Sequence, residues 1–526
     1  MQTRYSNIND LFSGTGCYPL ENLSKDNRWV KLADSLDWDY IEVEYNKRLK
    51  NQKVGAGNKP ARMVVGALII KHMLGSSDEG TILSIQENPY MQYLVGLKYF
   101  QEEQIFSPEL FVTVRKRIDE NFFNDIMLSM HRKQVKETED SNKEDDSTGD
   151  SHAEGFQQTT HKGKMKIDAT CTDAEVRYPT DINILEDCSR EIDRLTQKLS
   201  AKAAVASPRT HRGEARSCFV RYTKKKHKGT KLIRDTKKLL LHLLSQDIQR
   251  FTNFIGKLNT TVLGCLNRKD LRNLSAIRKA YEQQKYMFDN NVRSCIKRII
   301  SIFQPHVRPI VRGKAGRKTE YGAKIGVSVV DGFTYIDHLS WEAYNEGSDL
   351  LLQIQTYKDR FGYYPREVQA DKIYLNKENR KLLKHLGIAC HCAPLGRPRK
   401  HPDPAETELR RKASGERNEV EATFGTAKRV YRANDIRAKL PETAATWIAA
   451  CFFVKNLKKF LQGLLCLFLE LRLQLLRFFG NCQAEAGLKS LMGNRAIKMM
   501  AIFSRPYLSF TSFFCFYRKT FRTILP

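Results

Sequence analysis

A period-two alternation at Lys164–Thr172 gives way to helical spacing over residues 184–303 and returns at Thr319, and this switch constrains the fold most. Met165, Ile167, Ala169 and Cys171 fall on one side of the first stretch, and Lys166, Asp168 and Thr170 on the other, as in a half-buried strand. Tyr321, Ala323, Ile325, Val327 and Val329 alternate again. Asp331-Gly332 then supplies a tight hairpin turn, and Phe333–Trp341 the partner strand. Ser348-Asp349 caps a helix running to Arg360, closed by Gly362 and Pro365. Glu367–Ala370 is a short strand with Asp371 at its C-terminal end, followed by a helix at Lys377–His385, a strand at Gly387–Cys390 and a last helix from near Ala413. The predicted unit is α/β with a hairpin at one edge. Ligands of open α/β sheets gather at the carboxyl ends of strands, where Asp168 and Asp371 fall.

Between these two acids lie three apolar stripes: Leu185 to Leu199, Leu241 to Val262, and Leu274 through Phe288 to Ile302. They predict long antiparallel helices packed as a coiled-coil-like hairpin. Arg209–Lys238, which holds Lys224, Lys225 and Lys226, is either a solvated face or a phosphate-contacting arm. Residues 27–137 read as helical, with Pro60 opening one helix and Ser107-Pro108-Glu109 another. This region fits a helix-turn-helix DNA-binding unit and a packing or dimerisation bundle equally well. Residues 137–163 are acidic and polar, a linker or loop.

A net charge of +29 on 526 residues, in clusters, makes nucleic acid the first partner to expect. A hydrophobic content of 41% excludes a disordered chain. The 12 cysteines are scattered and Met1–Asp10 is polar, as expected of a cytoplasmic protein with reduced thiols. Cys390-His391-Cys392 is too tight for a zinc site and lacks a matching pair. Residues 461–479 are strongly apolar but contain Glu470, Arg472 and Arg477. Each charge would cost about 2.5–3.5 kcal/mol at mid-bilayer, so the expectation is a buried or interfacial helix and no membrane.

In the last helix Ser414, Arg417 and Lys428 fall within about 40° of the face of Glu421, with Val420, Phe424, Ala427 and Tyr431 alongside. Alone, this describes a surface helix with an i, i+4 ion pair. Joined to Asp168 and Asp371, it supplies three carboxylates. Phosphodiester cleavage uses such acids to hold two Mg²⁺ ions about 3.5–4 Å apart at the attacking and leaving oxygens. Carboxylates about 4 Å apart repel by roughly 4 kcal/mol at an effective dielectric near 20, so the cluster favours cations.

IDATCTDAEVRYPTDINIL (Ile167–Leu185), VQADKIYLNKENRKLLKHLGI (Val368–Ile388), RNEVEATFGTAK (Arg417–Lys428) and AKLPETAATWIAACFFVKNLKKF (Ala438–Phe460) resemble blocks of bacterial insertion-sequence DDE transposases. Pro60–Ile118 resembles their N-terminal helical domain, so the likeness covers most of residues 60–460. It implies an α/β fold: an RNase H-like mixed-sheet core (164–460) with a basic helical insertion (184–310) between the first two acids. An all-α N-terminal domain (1–136) and the linker (137–163) would precede it, and an apolar, basic helical extension (461–526) would follow. Asp168, Asp371 and Glu421 would be catalytic and hold two Mg²⁺, with Mn²⁺ as a substitute. Arg417, Lys428 and Ser414 (where the family carries Tyr) would contact DNA, as would Lys224, Lys225 and Lys226. Ile373 stands where a small residue is commoner. Asp173, Glu175 and Asp181 read as turn or cap residues, and Glu419 lies off the ridge. The implied partners are double-stranded DNA, as terminal inverted repeats and target, and a second copy or more of the chain. No small-molecule substrate is implied, and the location would be cytoplasmic, at the nucleoid. Two alternatives stay open: a catalytically inactive transposase-derived DNA-binding protein, and an RNase H-like nuclease without strand transfer.

Overall fold

The computed structural model describes residues 19–49, 57–143, 161–311, 319–392, 394–396 and 403–479. Two units are distinguished, Met1–Phe460 and Leu461–Pro526. Among its described residues the first begins with a 3-10 turn at Leu20–Asn22 and seven α-helices: α1 Arg28–Ser35, α2 Trp38–Lys47, α3 Ala61–Leu74, α4 Asp78–Glu87, α5 Pro89–Leu94, α6 Glu109–Arg117 and α7 Glu120–Lys143. Helix α3 is apolar on every side and buried from Met63 to His72, as a central helix must be. Gly75, at φ 64°, ends it in the left-handed conformation. The Ser77 side chain caps α4 by accepting from the Gly80 N–H. Helix α6 starts one residue later than expected, with Pro108 at its cap. Helix α7 runs to Lys143, so residues 137–143, expected in the linker, are helical, because nothing there breaks a helix. The rest of that linker up to residue 160 lies outside the described residues. Asn124 of α7 exchanges two hydrogen bonds with the Ile336 backbone (2.8 and 3.3 Å).

Strand β1, Lys164–Asp173, begins the sheet, and Met165, Ile167, Ala169 and Cys171 are buried as the alternation required. Helices α8 (Asp181–Ala203), α9 (Arg212–Lys224), α10 (Thr230–Ile255), α11 (Thr260–Leu263) and α12 (Arg268–Asp289) follow and share one apolar core. One expectation needs correction. The third stripe is helical only to Asp289, where the chain turns through Asn290 and Asn291 (φ 52°). Ile299 and Ile302 still join the core, but from irregular chain. Part of the basic stretch Arg209–Lys238 is ordered as α9, which buries Ala215, Cys218 and Phe219.

The sheet continues with β2 (Arg308–Val311), β3 (Thr319–Val330) and β4 (Phe333–Ser340), then α13 (Leu350–Phe361), β5 (Glu367–Gln369) and α14 (Lys377–His385). Helices α15 (Pro404–Arg429) and α16 (Pro441–Phe479) close the described chain. The strand order is β2-β3-β1-β5, with β4 also paired to β3. β1 runs antiparallel to β3 and parallel to β5, which makes the sheet mixed. Asp331 (φ 50°) and Gly332 (φ 77°) form the expected tight turn. The strand expected at Gly387–Cys390 is reduced to a single parallel bridge, Glu367 to Ala389. Helix α15 begins well before Ala413, because Asp403 caps it and Pro404 fits its first turn. Among the described residues no helix is long and apolar enough to cross a membrane.

The strand register assigns the layers. Lys164, Lys166 and Asp168 share one face, over which α15 lies, pairing Lys164 with Glu416 (3.0 Å) and Lys166 with Glu419 (2.6 Å). Gly326 sits on the opposite face, where an added Cβ would meet Tyr344 and Gln353 of the α13 side at 3.3 and 3.5 Å.

Candidate active site

The geometry begins with a strand that stops early. β5 pairs with Lys164–Lys166 and ends at Gln369. Continuing that register places Asp371 beside Asp168, just past the end of β5, while β1 runs on to Asp173. The gap opens a cleft of about 470 Å³ lined by Asp168, Asp371, Arg417 and Glu421, among others. The structure thus brings together all three expected carboxylates. Helix α15 carries Glu421 to the cleft because Val420, Phe424 and Ala427 are buried against the core.

Asp168 accepts a hydrogen bond from the Ala169 N–H (2.8 Å), and Asp371 one from the Lys372 N–H (2.7 Å). The Arg417 guanidinium lies between two of the acids, 3.6 Å from Asp168 Oδ2 and 3.7 Å from Glu421 Oε1. Both separations exceed hydrogen-bond length, so Arg417 neutralises charge without binding either acid closely. Burial pushes the Asp168 carboxyl above its usual range, and the Glu346 and Asp371 charges add to this against the Ala169 N–H and Arg417. A carboxylate held so is costly to ionise without a further positive charge.

The donors are all oxygen, the kind a divalent cation of the Mg²⁺ type takes. Among the described residues no three His, Cys, Asp or Glu side chains are gathered closely enough to hold a metal ion. Asp168, Asp371 and Glu421 fit a cation in kind and line one cleft, but they are not drawn together as a ligand set, and Arg417 stands between two of them.

The remaining predicted residues are not brought in. Ser414 (exposed) and Lys428 (half-buried) lie on α15, but neither lines the cleft. Lys224 ends α9, and Lys225 and Lys226 follow it, all exposed and away from the cleft lining. Ile373 does line it, 55% exposed, and is not among the positive-φ residues, so the turn accepts it without strain. Glu419 is taken up by Lys166 and Asp181 by Lys237 (2.8 Å). Cys390 and Cys392 are hydrogen-bonded to one another, which holds the Cys392 thiol down at about 6, with Arg380 and Arg410 assisting.

Among the cleft residues with no counterpart in the sequence motifs are Lys324, Tyr344 and Glu346. Lys324 Nζ lies 3.0 Å from Glu346 and donates to the Tyr344 carbonyl (2.8 Å). Their one sequence signal is position: Lys324 on β3, and Tyr344 and Glu346 in the crossover that leaves β4 and enters α13. Tyr374 is fully buried beneath them, its hydroxyl has no hydrogen-bond partner among the described residues, and burial pushes its pKa up, with Glu346 and Asp168 adding to the shift.

Two families match the chain. Residues 368–458 match the family described as "Transposase DDE domain", and residues 19–117 the family described as "Transposase domain (DUF772)". A Rhizobium meliloti protein described as "Uncharacterized protein ORF8 in nfe locus" is 23% identical over 152 residues, 29% of this chain. The chain spans 64% of the length of that relative. No solved structure matches.

Proposed function

We propose that this chain, whose two family matches support an insertion-sequence transposase of the DDE type serving DNA transposition, cuts DNA at transposon ends and joins the freed 3′-OH groups to a target. The observation carrying the proposal is the single cleft that collects Asp168, Asp371 and Glu421 where β5 stops short of β1. That arrangement is compatible with an RNase H-like core.

Asp168 and Asp371, on neighbouring chain segments, would hold a divalent cation, Mg²⁺ or Mn²⁺, and Glu421 would complete the second position from α15. Two cations bound there supply charge neutralisation at the attacking and leaving oxygens of the phosphodiester. Arg417, loosely held by both acids, is free to turn its guanidinium to a phosphate oxygen. Ser414 and Lys428, further along α15, would contact DNA beyond the cleft, and the exposed Lys224–Lys226 turn would hold backbone at a distance. Two ends must be brought together for joining, so the working form would be a dimer or larger.

The test is cleavage of a labelled duplex bearing the element's end, in Mg²⁺ and in EDTA, by wild type and Glu421→Gln. Metal-dependent nicking lost in the variant is expected. Binding of the duplex with no nicking by the wild type would instead favour a DNA-binding protein without catalysis.

A further inference from the structure

Glu346 enters the cleft from the side of the sheet opposite Glu421. It stands at the head of α13 and is tied to the turn that carries Asp371. A Cβ on Gly347 would come within 2.7 Å of the Ile373 carbonyl, so only glycine lets this loop lie on that turn. Asn379 Nδ2 donates to both the Gly347 carbonyl (2.7 Å) and the Tyr374 carbonyl (2.6 Å), so one side chain binds the two loops. Glu346 and Asp371 are thereby fixed to each other.

The side chain of Glu346 is 16% exposed and that of Lys324, its ion-pair partner, 13%. A surface ion pair would not require such burial. Glu346 acts electrostatically on Asp168, so the two carboxylates sense one another across the cleft. The fully buried Tyr374 hydroxyl, without a hydrogen-bond partner among the described residues, lies near both acids. Three of the four acids of the cleft thus have a basic neighbour: Arg417 for Asp168 and Glu421, and Lys324 for Glu346.

We propose that Glu346 is a fourth carboxylate of the cation-binding cleft, sharing a divalent ion with Asp168 and Asp371, and that Lys324 is its counter-ion until the ion arrives. The proposal rests on the cleft being the cutting site. It assigns Lys324 a second state, released from Glu346 and available to a DNA phosphate on the side opposite Arg417.

Mn²⁺ binding to the full chain, followed by electron paramagnetic resonance without DNA, tests this in wild type, Glu346→Gln, Glu346→Asp and Asp371→Asn. Glu346→Gln should weaken Mn²⁺ on the order of tenfold, as losses around metal sites do, and Glu346→Asp should recover part of the loss. Iron-generated hydroxyl radicals on the wild type give a reading that needs no variant: backbone cuts are expected near residue 346 as well as near 168 and 371. Unchanged Mn²⁺ affinity in Glu346→Gln, with weakening in Asp371→Asn, would overturn the role of Glu346 and leave the cutting site standing. Wild-type protein that binds no Mn²⁺ would overturn both.

Discussion

Glu186 in the helical insertion and Asp168 in the cleft are both carboxylates beside arginine, and they come out oppositely, though Asp187 next to Glu186 is raised by burial as Asp168 is. In the insertion Glu186 is 1% exposed and accepts from Arg212 (2.9 Å) and Arg177 (3.1 Å). Burial raises its pKa, but those hydrogen bonds outweigh the burial and hold it below the usual range. Glu191 with Arg194 and Asn273, and Asp270 with Lys198 and Arg194, repeat the pattern. In the cleft Asp168 meets one guanidinium at 3.6 Å, and burial wins. A buried carboxylate that is fully hydrogen-bonded holds a fold together. One left short of positive charge is poised for something the chain does not itself supply.

The largest test of this contrast is chemical. Asp371→Asn should lower DNA cleavage by about 10³-fold, the several kcal/mol that cation charge stabilisation contributes, with the circular dichroism spectrum unchanged. Cleavage retained within a few-fold would place the chemistry elsewhere.

Next comes stability, with signs that oppose. Glu186→Gln should cost about 2 kcal/mol in denaturant unfolding at pH 7, between the values for exposed and buried ion pairs. The Glu186 pKa is lowered on folding, so its contribution is present above the ordinary glutamate range and lost as pH falls. The penalty should therefore vanish in acid. The Asp168 pKa is raised, so its ionisation works against folding once pH exceeds the usual aspartate range. Asp168→Asn should melt above wild type at pH 7 in EDTA, and the gap should close as pH falls. Two variants moving the same way at pH 7 would dissolve the comparison.

The smallest expected effect concerns the exposed basic turn after α9. Replacing Lys224, Lys225 and Lys226 by alanine should reduce the salt dependence of DNA affinity by a slope of about 2–3 if all three meet phosphates. Cleavage of already bound DNA should be unaffected, since none of the three lines the cleft.

The sequence made some parts plain and hid others for physical reasons. β1 was legible because burial on one face enforces alternation, and the β3–β4 turn because Asp331-Gly332 adopts positive φ cheaply. The helix at Lys377–His385 was read to the residue, since Asn376 caps it. The start of α15 was missed because its first turns, from Ala405 to Lys412, carry no long apolar stripe. The third stripe was overextended because Ile299 and Ile302 are buried from irregular chain, and burial alone mimics periodicity. Of the cleft, Asp168, Asp371, Arg417 and Glu421 stood in recognisable blocks. Glu346 and Lys324 did not: β3 and the α13 crossover bring them in from the far face of the sheet, a relation that exists only in three dimensions.

The most direct measurement is the melting temperature of wild type and Asp168→Asn at pH 7, in EDTA and in saturating Mn²⁺. Wild type should rise on adding the ion, while Asp168→Asn should begin higher in EDTA and rise little. If Asp168→Asn begins lower than wild type and gains as much from Mn²⁺, Asp168 is a structural acid like Glu186, and the cleft is not the cation site.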